Sequence, residues 1–293
     1  METIAIVGPG AVGGVLAGWL TKAGRSALTL CGRRAQPALT VETLAGPVAV
    51  GAPVHTDPSQ ARPVGWVLVT TKTYDAAGAA AWFPALVGPA TRVAILQNGV
   101  EHRERFAPYV DAARIVPVMI DCPAERPSPD RVVQRGPGRM EVASDEDGRA
   151  FAALFAGTDL AVALTDDFRT AIWRKLCLNA AGALSALLLR PAGILRDDDL
   201  AEVARDLVRE CVAVARAEGA RLDDATVEET IAACRRAAPD SVNSLHADRA
   251  AGRPMEVDAR NGAIVRIGRR HGIPTPCNRM AATLLEALAA AGR

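Results

Sequence analysis

The sequence predicts an α/β domain built on a parallel sheet, residues 1–165, followed by an all-helical domain, residues 166–293. Three observations carry that prediction. The first half holds short apolar runs that do not alternate with polar residues, as strands buried on both faces do. A glycine-rich turn, Gly8-Pro9-Gly10-Ala11-Val12-Gly13, separates the first of these runs from a helical pattern. From about Asp166 the strand signals give way to apolar residues spaced three and four apart. The length of 293 residues agrees with two domains at roughly 150 residues each.

The strands are expected at Ile4-Ala5-Ile6-Val7, Ala27-Leu28-Thr29-Leu30, Trp66-Val67-Leu68-Val69, Arg92 to Leu96 and Ile115 to Ile120. A helix is expected from Ala11 to Ala23, stopped by Gly24. The stretch Pro123 to Gly138, rich in Pro and Arg, reads as a loop, and Arg139 to Val142 and Leu160 to Leu164 read as later strands. In the second half an apolar helix begins at Trp173. Leu200, Val203, Leu207, Cys211 and Val214 mark the buried face of another, with Gly219 as its stop. Two more are expected from Asp223-Asp224 to Ala237, and from Glu256 to His271 before Gly272 and Pro274.

Composition excludes several functions. With 34 basic against 33 acidic side chains the net charge is +1, which gives no field for a nucleic acid backbone. The uncharged run Thr3 to Thr21 approaches the ~20 residues of a membrane span, but its many glycines and Pro9 place it inside a water-soluble fold. Glu2 leaves no basic n-region of a secretory signal, so a cytoplasmic location is expected. The six cysteines contain no C-x-x-C pair and the four histidines stand apart from them, so no metal site is expected. They read as small buried hydrophobes in a reducing compartment, with Cys122, in its Pro-rich surroundings, the one candidate for a reactive thiol.

The glycine turn has the strand-before, helix-after context that gives a G-x-G-x-x-G its physical meaning. Its first glycine permits a tight turn, its second lets backbone approach a pyrophosphate, and its third allows close helix–strand packing. Gly8, Pro9, Gly10, Ala11, Val12 and Gly13 are therefore candidate cofactor contacts in a Rossmann-type domain, against the simpler alternative of a βα turn whose glycines serve packing only. An NAD site would place a carboxylate about 20 residues further on, at the end of the second strand. That place reads Cys31-Gly32-Arg33-Arg34. Guanidiniums form bidentate bonds with phosphate, so NADP(H) is expected, with Arg33 and Arg34 at its 2′-phosphate; the plain alternative is two solvated arginines.

Residues at the carboxyl ends of the strands face the ligand in such a fold. Lys72 follows Thr70-Thr71, and Asn98-Gly99 follows Gln97, which makes both candidates for the cleft. Lys175 and Asn179, four apart, share one helix face. Lys175 reads either as a snorkelling side chain or as a general acid beside an amide. Glu256 reads either as a helix-start carboxylate favoured by the dipole or as a site residue.

Six segments, in order and in spacing, resemble the ketopantoate reductase family (2-dehydropantoate 2-reductases). They are the Gly8–Gly13 turn; Thr71-Lys72-Thr73; Gln97-Asn98-Gly99-Val100; Trp173-Arg174-Lys175-Leu176-Cys177-Leu178-Asn179; Ser244 in Ser-Val-Asn-Ser-Leu; and Glu256-Val257-Asp258-Ala259-Arg260-Asn261-Gly262. The resemblance covers essentially the whole chain. It implies a Rossmann-type domain joined to a helical domain of the 6-phosphogluconate dehydrogenase C-terminal type, NADPH-dependent reduction of a 2-oxo acid, and a homodimer. It further implies Lys175 as general acid, Glu256 as the carboxylate that orients ligand and cofactor, Lys72 and Asn98 lining the cleft, and Asn179 and Ser244 as substrate contacts with Asn98. Ala183 and Gly193 stand where the family usually has asparagine, so a relative acting on another keto acid, ketone or imine is the second reading. An NADP-binding sensor without turnover is the third.

Overall fold

The computed structural model describes residues 2–24, 26–36 and 38–291. The chain separates into two compact units, residues 1–97 with 102–168, and residues 98–101 with 169–293. A contiguous division at residue 165 does not anticipate that four residues, Asn98 to Glu101, cluster with the second unit.

The first unit contains strands β1 (Glu2–Val7), β2 (Ser26–Cys31), β3 (Leu39–Thr43), β4 (Gly46–Val50), β5 (Val54–His55), β6 (Val64–Val69), β7 (Val87–Ile95), β8 (Ile115–Pro117), β9 (Met119–Asp121), β10 (Ala124–Ser128), β11 (Arg131–Gln134), β12 (Arg139–Ala143) and β13 (Ala161–Thr165). Its helices are α1 (Ala11–Ala23), α2 (Ala76–Ala80), α3 (Phe83–Leu86), α4 (His102–Phe106) and α5 (Glu146–Leu154). Six strands form one sheet in the order β5-β2-β1-β6-β7-β8, and every pairing in it is parallel. The order reverses beside β1, and such a switch point opens a crevice at the strands' carboxyl ends. Both faces are covered, which explains the unalternating runs. Ile4, Ile6 and Leu68 pack with Leu16, Phe151 and Phe155 on one side, while Ala5, Val7, Val67 and Val69 pack with Phe83 and Phe106 on the other.

The structure departs from expectation in this unit. The Pro- and Arg-rich stretch 123–138, expected as a loop, contains β10 and β11, and these join β3 and β4 in a second sheet ordered β10-β11-β3-β4. Burial is what orders it: Val132 and Val41 press against α1 at Gly14 and Gly18, where an added Cβ would stand 2.7 and 2.8 Å from them. The Trp19 indole of α1 donates to Gln134 Oε1 of β11 at 2.9 Å. The run Ile115–Ile120 also divides. Its first part, β8, closes the main sheet, and β9 pairs with β12 in a three-stranded sheet.

The second unit is helical: α6 (Phe168–Ala181, counted from Arg169), α7 (Ala183–Leu188), α8 (Asp198–Ala217), α9 (Ala225–Arg236), α10 (Ser244–Ala250), α11 (Asn261–Arg270) and α12 (Pro276–Ala291). Asp197 caps α8 by accepting from the amides of Asp199 and Leu200, an arrangement worth about 1 kcal/mol. The buried face of α8 runs through Ala201, Ala204, Leu207, Val208 and Cys211, so Val203 lies outside it and is exposed. A buried polar chain ties four helices. Asn261 donates to Ala180 O and Asn278 Oδ1, Asn278 donates to Leu207 O and Glu210, and Glu210 accepts the first amides of α12.

Helix α11 begins at Asn261, not at Glu256. Residues 257–260 form turns, with the amides of Arg260 and Gly262 both donating to Val257 O. Glu256 therefore precedes the helix by five positions, and the dipole reading of that carboxylate does not hold.

All six cysteines are free thiols, with Cys31, Cys177 and Cys211 buried. Burial pushes the Cys31 thiol up to about 12. Cys122 is half-buried and packs against the first unit's core. Among the described residues no helix is long and apolar enough to cross a membrane, and no three His, Cys, Asp or Glu side chains converge as a metal site.

Candidate active site

The turn after β1 is held by its own hydrogen bonds. The Gly8 amide donates to Cys31 O at 2.8 Å, the Gly10 amide to Gly8 O at 2.6 Å, and Thr70 Oγ1, just beyond β6, to Gly8 O at 2.8 Å. Gly8 has φ +92°, a conformation costly for any residue with a Cβ. At Gly13 a Cβ would lie 2.4 Å from Thr70 Oγ1 and 2.6 Å from Gly8 O, whereas at Gly10 the nearest atom is 3.9 Å away. The protein's own packing therefore demands glycine at 8 and 13 but leaves the side of Gly10 open. No side chain caps α1 at Gly10, so the first-turn amides of Ala11, Val12 and Gly13 are available to an anion. This is a cradle that a Cβ would fill, and it fits a dinucleotide's pyrophosphate.

Beyond β2, Arg33 and Arg34 are exposed in a bend. Lys72 is half-buried just after β6, and its segment is fixed by Gln97 Nε2, which donates to Thr71 O at 3.0 Å and Thr71 Oγ1 at 3.1 Å. Buried His102 donates its Nε2 hydrogen to Gln97 O at 2.8 Å, and burial lowers its pKa to about 4, so it is neutral.

In the second unit Asn98 Nδ2 donates to Glu256 Oε2 at 2.9 Å, with Asn98 half-buried and Glu256 buried. Two features hold the segment 98–101 in place. Gly99, at φ +93°, approaches Ala259 O so closely that a Cβ would stand 2.6 Å away. Arg266 grips Glu101 with two bonds, Nε to Oε1 at 3.0 Å and Nη2 to Oε2 at 2.6 Å, and its Nη1 donates to Asp258 Oδ1 at 2.6 Å. The hydrogen bond to Glu101 raises the Arg266 pKa, so its charge is permanent.

Lys175 and Asn179 are both half-buried on α6. Asn179 is tied to the turn that follows Glu256 by Arg260, whose Nη2 donates to Asn179 O at 2.8 Å. Arg260 is fully buried, which lowers its pKa to about 10 while Glu256 and Asp248 pull it back up. Ser244 is exposed at the start of α10. The preceding Asn243 caps that helix through the His246 amide and donates to Gly182 O at 2.9 Å, three residues past Asn179.

The second unit thus brings together Asn98 and Glu256 directly, and Asn179 through Arg260. Lys175 lies one helical turn before Asn179 on α6. Ala183 is fully buried, and Gly193 packs on Pro239, where a Cβ would meet Pro239 O at 2.9 Å; neither position offers a polar side chain. Sequence reading missed Arg260, Arg266 and Glu101. A buried arginine has no periodic signature, although Arg260 stands inside the segment that carries Glu256.

A parallel sheet with a glycine turn and an uncapped helix start at its switch point, in a chain whose helical unit carries an ammonium, a carboxylate and amides, has the make-up of a dinucleotide-dependent oxidoreductase. The model of the family "Ketopantoate reductase PanE/ApbA" matches residues 4–146, and that of its C-terminal part matches residues 167–289. The chain is 54% identical to a 2-dehydropantoate 2-reductase of Caulobacter vibrioides, over 99% of this chain and 100% of that one. It is 42% identical to a 2-dehydropantoate 2-reductase of Mycobacterium tuberculosis, over 97% of both chains. A crystal structure of a PanE/ApbA family ketopantoate reductase from Ralstonia eutropha JMP134 superposes with a TM-score of 0.89 at 33% identity, covering 99% of each chain. The chain belongs to the ketopantoate reductase family.

Proposed function

We propose that the chain reduces 2-dehydropantoate (ketopantoate) to (R)-pantoate with NADPH, a step of pantothenate biosynthesis. The observation that carries this reading is the 54% identity, end to end, with a relative of that activity. The two sets of residues described above support it, one suited to a phosphorylated dinucleotide and one to an oxo acid.

Bound NADPH supplies the hydride that attacks the ketone carbon. The amides of Ala11, Val12 and Gly13, on the open side of Gly10, hold the pyrophosphate, and Gly8 and Pro9 shape the turn. Arg33 and Arg34 neutralise the 2′-phosphate and Lys72 lines the cleft. The Lys175 ammonium stabilises the charge developing on the carbonyl oxygen and then delivers its proton. Asn98, Asn179 and Ser244 donate to the substrate's polar groups. Glu256 accepts one Nδ2 hydrogen of Asn98, which fixes the amide plane and leaves the second hydrogen for a ligand. The carboxylate also orients ligand and cofactor.

In this reading the partner is a small 2-oxo acid, with no nucleic acid or membrane involved; the chain works in the cytoplasm, and a homodimer is its assembly. The decisive experiment follows NADPH consumption across a panel of 2-oxo acids, ketones and imines. Ketopantoate is expected to be turned over with the highest kcat/KM. Turnover of another compound with none of ketopantoate would assign the chain to a different substrate, and binding of NADPH with no turnover of anything would make it a sensor.

A further inference from the structure

Arg126 reaches from β10 into the neighbourhood of the glycine turn. Its Nη1 donates to Pro9 O at 2.6 Å, its Nη2 to Gln36 Oε1 at 2.5 Å, and its Nε to Pro129 O at 3.1 Å, with Nη2 also donating to Pro129 O. Every one of these acceptors is a neutral oxygen. Gln36 lies two residues past Arg34, and its backbone is tied to the sheet edge, where the Val54 amide donates to Gln36 O at 2.8 Å. Gly32 in turn packs on Pro9, where an added Cβ would lie 3.4 Å from Pro9 Cδ. Pro9, the bend that carries Arg33 and Arg34, and Arg126 are therefore one cluster.

The charge at Arg126 is held at a cost. Burial and the positive charge of Arg34 both lower its pKa, and Asp130 offsets only part of this. Asp130 is itself exposed and accepts a hydrogen bond from Ser128 Oγ at 2.6 Å. A half-buried guanidinium that is bonded to neutral oxygens and crowded by a like charge makes its neighbourhood strongly attractive to an anion. Tying the same guanidinium to Pro9 fixes that charge relative to the phosphate-binding turn.

We infer that Arg126 is a third guanidinium of the cofactor's 2′-phosphate site, a positioning residue that holds Pro9 and lends its charge beside Arg34, and so a determinant of NADPH over NADH. This inference rests on the NADP(H) reading above. It explains why a Pro- and Arg-rich strand distant in sequence from the glycine turn is folded against it. It also assigns the selectivity to two parts of the chain, the bend after β2 and strand β10.

The test measures, by calorimetry, the dissociation constants of adenosine 2′,5′-bisphosphate and of 5′-AMP for the wild-type chain, Arg126→Met, Arg126→Gln and Arg126→Lys. Arg126→Gln removes the charge but keeps a polar side chain able to donate in a half-buried place, so it reads the charge even where the Met variant folds poorly. The wild type is expected to prefer the bisphosphate. In the two neutral variants that preference should fall roughly ten- to hundredfold, the scale of a charge-assisted contact, and Arg126→Lys should restore part of it. An unchanged preference, or equal weakening of both ligands, would overturn the inference and reduce Arg126 to a prop for the turn. A wild type with no preference would instead defeat the NADP(H) reading and the inference with it.

Discussion

Gly10 and Gly13 belong to the same motif, yet the structure gives them opposite reasons to be glycine, and alanine at each position separates the two. At position 13 the new methyl meets Thr70 Oγ1 at 2.4 Å and Gly8 O at 2.6 Å. Relieving that overlap costs about 1–3 kcal/mol, and it breaks the Thr70–Gly8 hydrogen bond, worth about 0.5–1.5 kcal/mol more. Gly13→Ala should therefore lose about 2–4 kcal/mol, a fall in Tm of roughly 5–15 °C for a unit of this size. At position 10 the nearest atom is 3.9 Å away and φ, at −77°, lies outside the left-handed region. Gly10→Ala should keep wild-type stability within about 0.5 kcal/mol, while its methyl enters the space left for phosphate and weakens NADPH at least about tenfold, or 1.4 kcal/mol. Thermal unfolding followed by circular dichroism and NADPH titration by fluorescence read the two effects. If Gly10→Ala melted as early as Gly13→Ala, the open side of Gly10 would be an error; if it bound NADPH normally, the turn would not be where the pyrophosphate lies.

Four further outcomes are expected. Lys175→Ala should lower kcat by roughly 10²–10⁴-fold while the NADPH dissociation constant stays near wild type, as stopped-flow and equilibrium titration would establish. Arg33→Ala should weaken NADPH about ten- to hundredfold and leave NADH nearly unchanged, with the Arg33/Arg34 double alanine variant going further. Arg266→Met leaves the Glu101 carboxylate, only 9% exposed, without its bidentate partner; stability should drop by about 2–4 kcal/mol in urea unfolding, and KM should rise as Asn98 loosens. His102 has a folded pKa of about 4 against the ordinary 6.5, so the unfolded chain binds its proton first as pH falls. Its stabilising contribution is complete above about pH 6.5 and fades toward pH 4, by about 3 kcal/mol in all. Urea unfolding across that range should show a shallower pH slope in His102→Gln.

The main sheet was legible because a strand covered on both faces must be apolar without alternation, which Ile4–Val7 and Trp66–Val69 are. The glycine turn was legible because steric demands at Gly8 and Gly13 are written in residue type. Strands β3 and β4 were missed although Leu39 and Val41 alternate with polar residues, and β10 and β11 were hidden by prolines and arginines whose role appears only when Val132 meets Gly14. At the site, Lys175, Asn179, Asn98 and Glu256 could be named from motifs, but the contacts that arrange them could not. Glu256 looked like a helix start because charged and apolar residues follow it at helical spacing; the Val257 carbonyl, taking two amides, turns the chain first. Arg126, Arg260 and Arg266 resemble any surface arginine in sequence. Their value comes from burial and from partners far along the chain, which one sequence does not encode locally.

The four residues Asn98 to Glu101 interrupt the first unit and lodge in the second, so the chain passes between the units three times. A recombinant hybrid spliced at residue 168 would inherit Asn98 and Glu101 from one parent and Glu256 and Arg266 from the other. A hybrid whose parents differ at either pair would therefore lose the Asn98–Glu256 bond or the Glu101–Arg266 grip, even with each half intact.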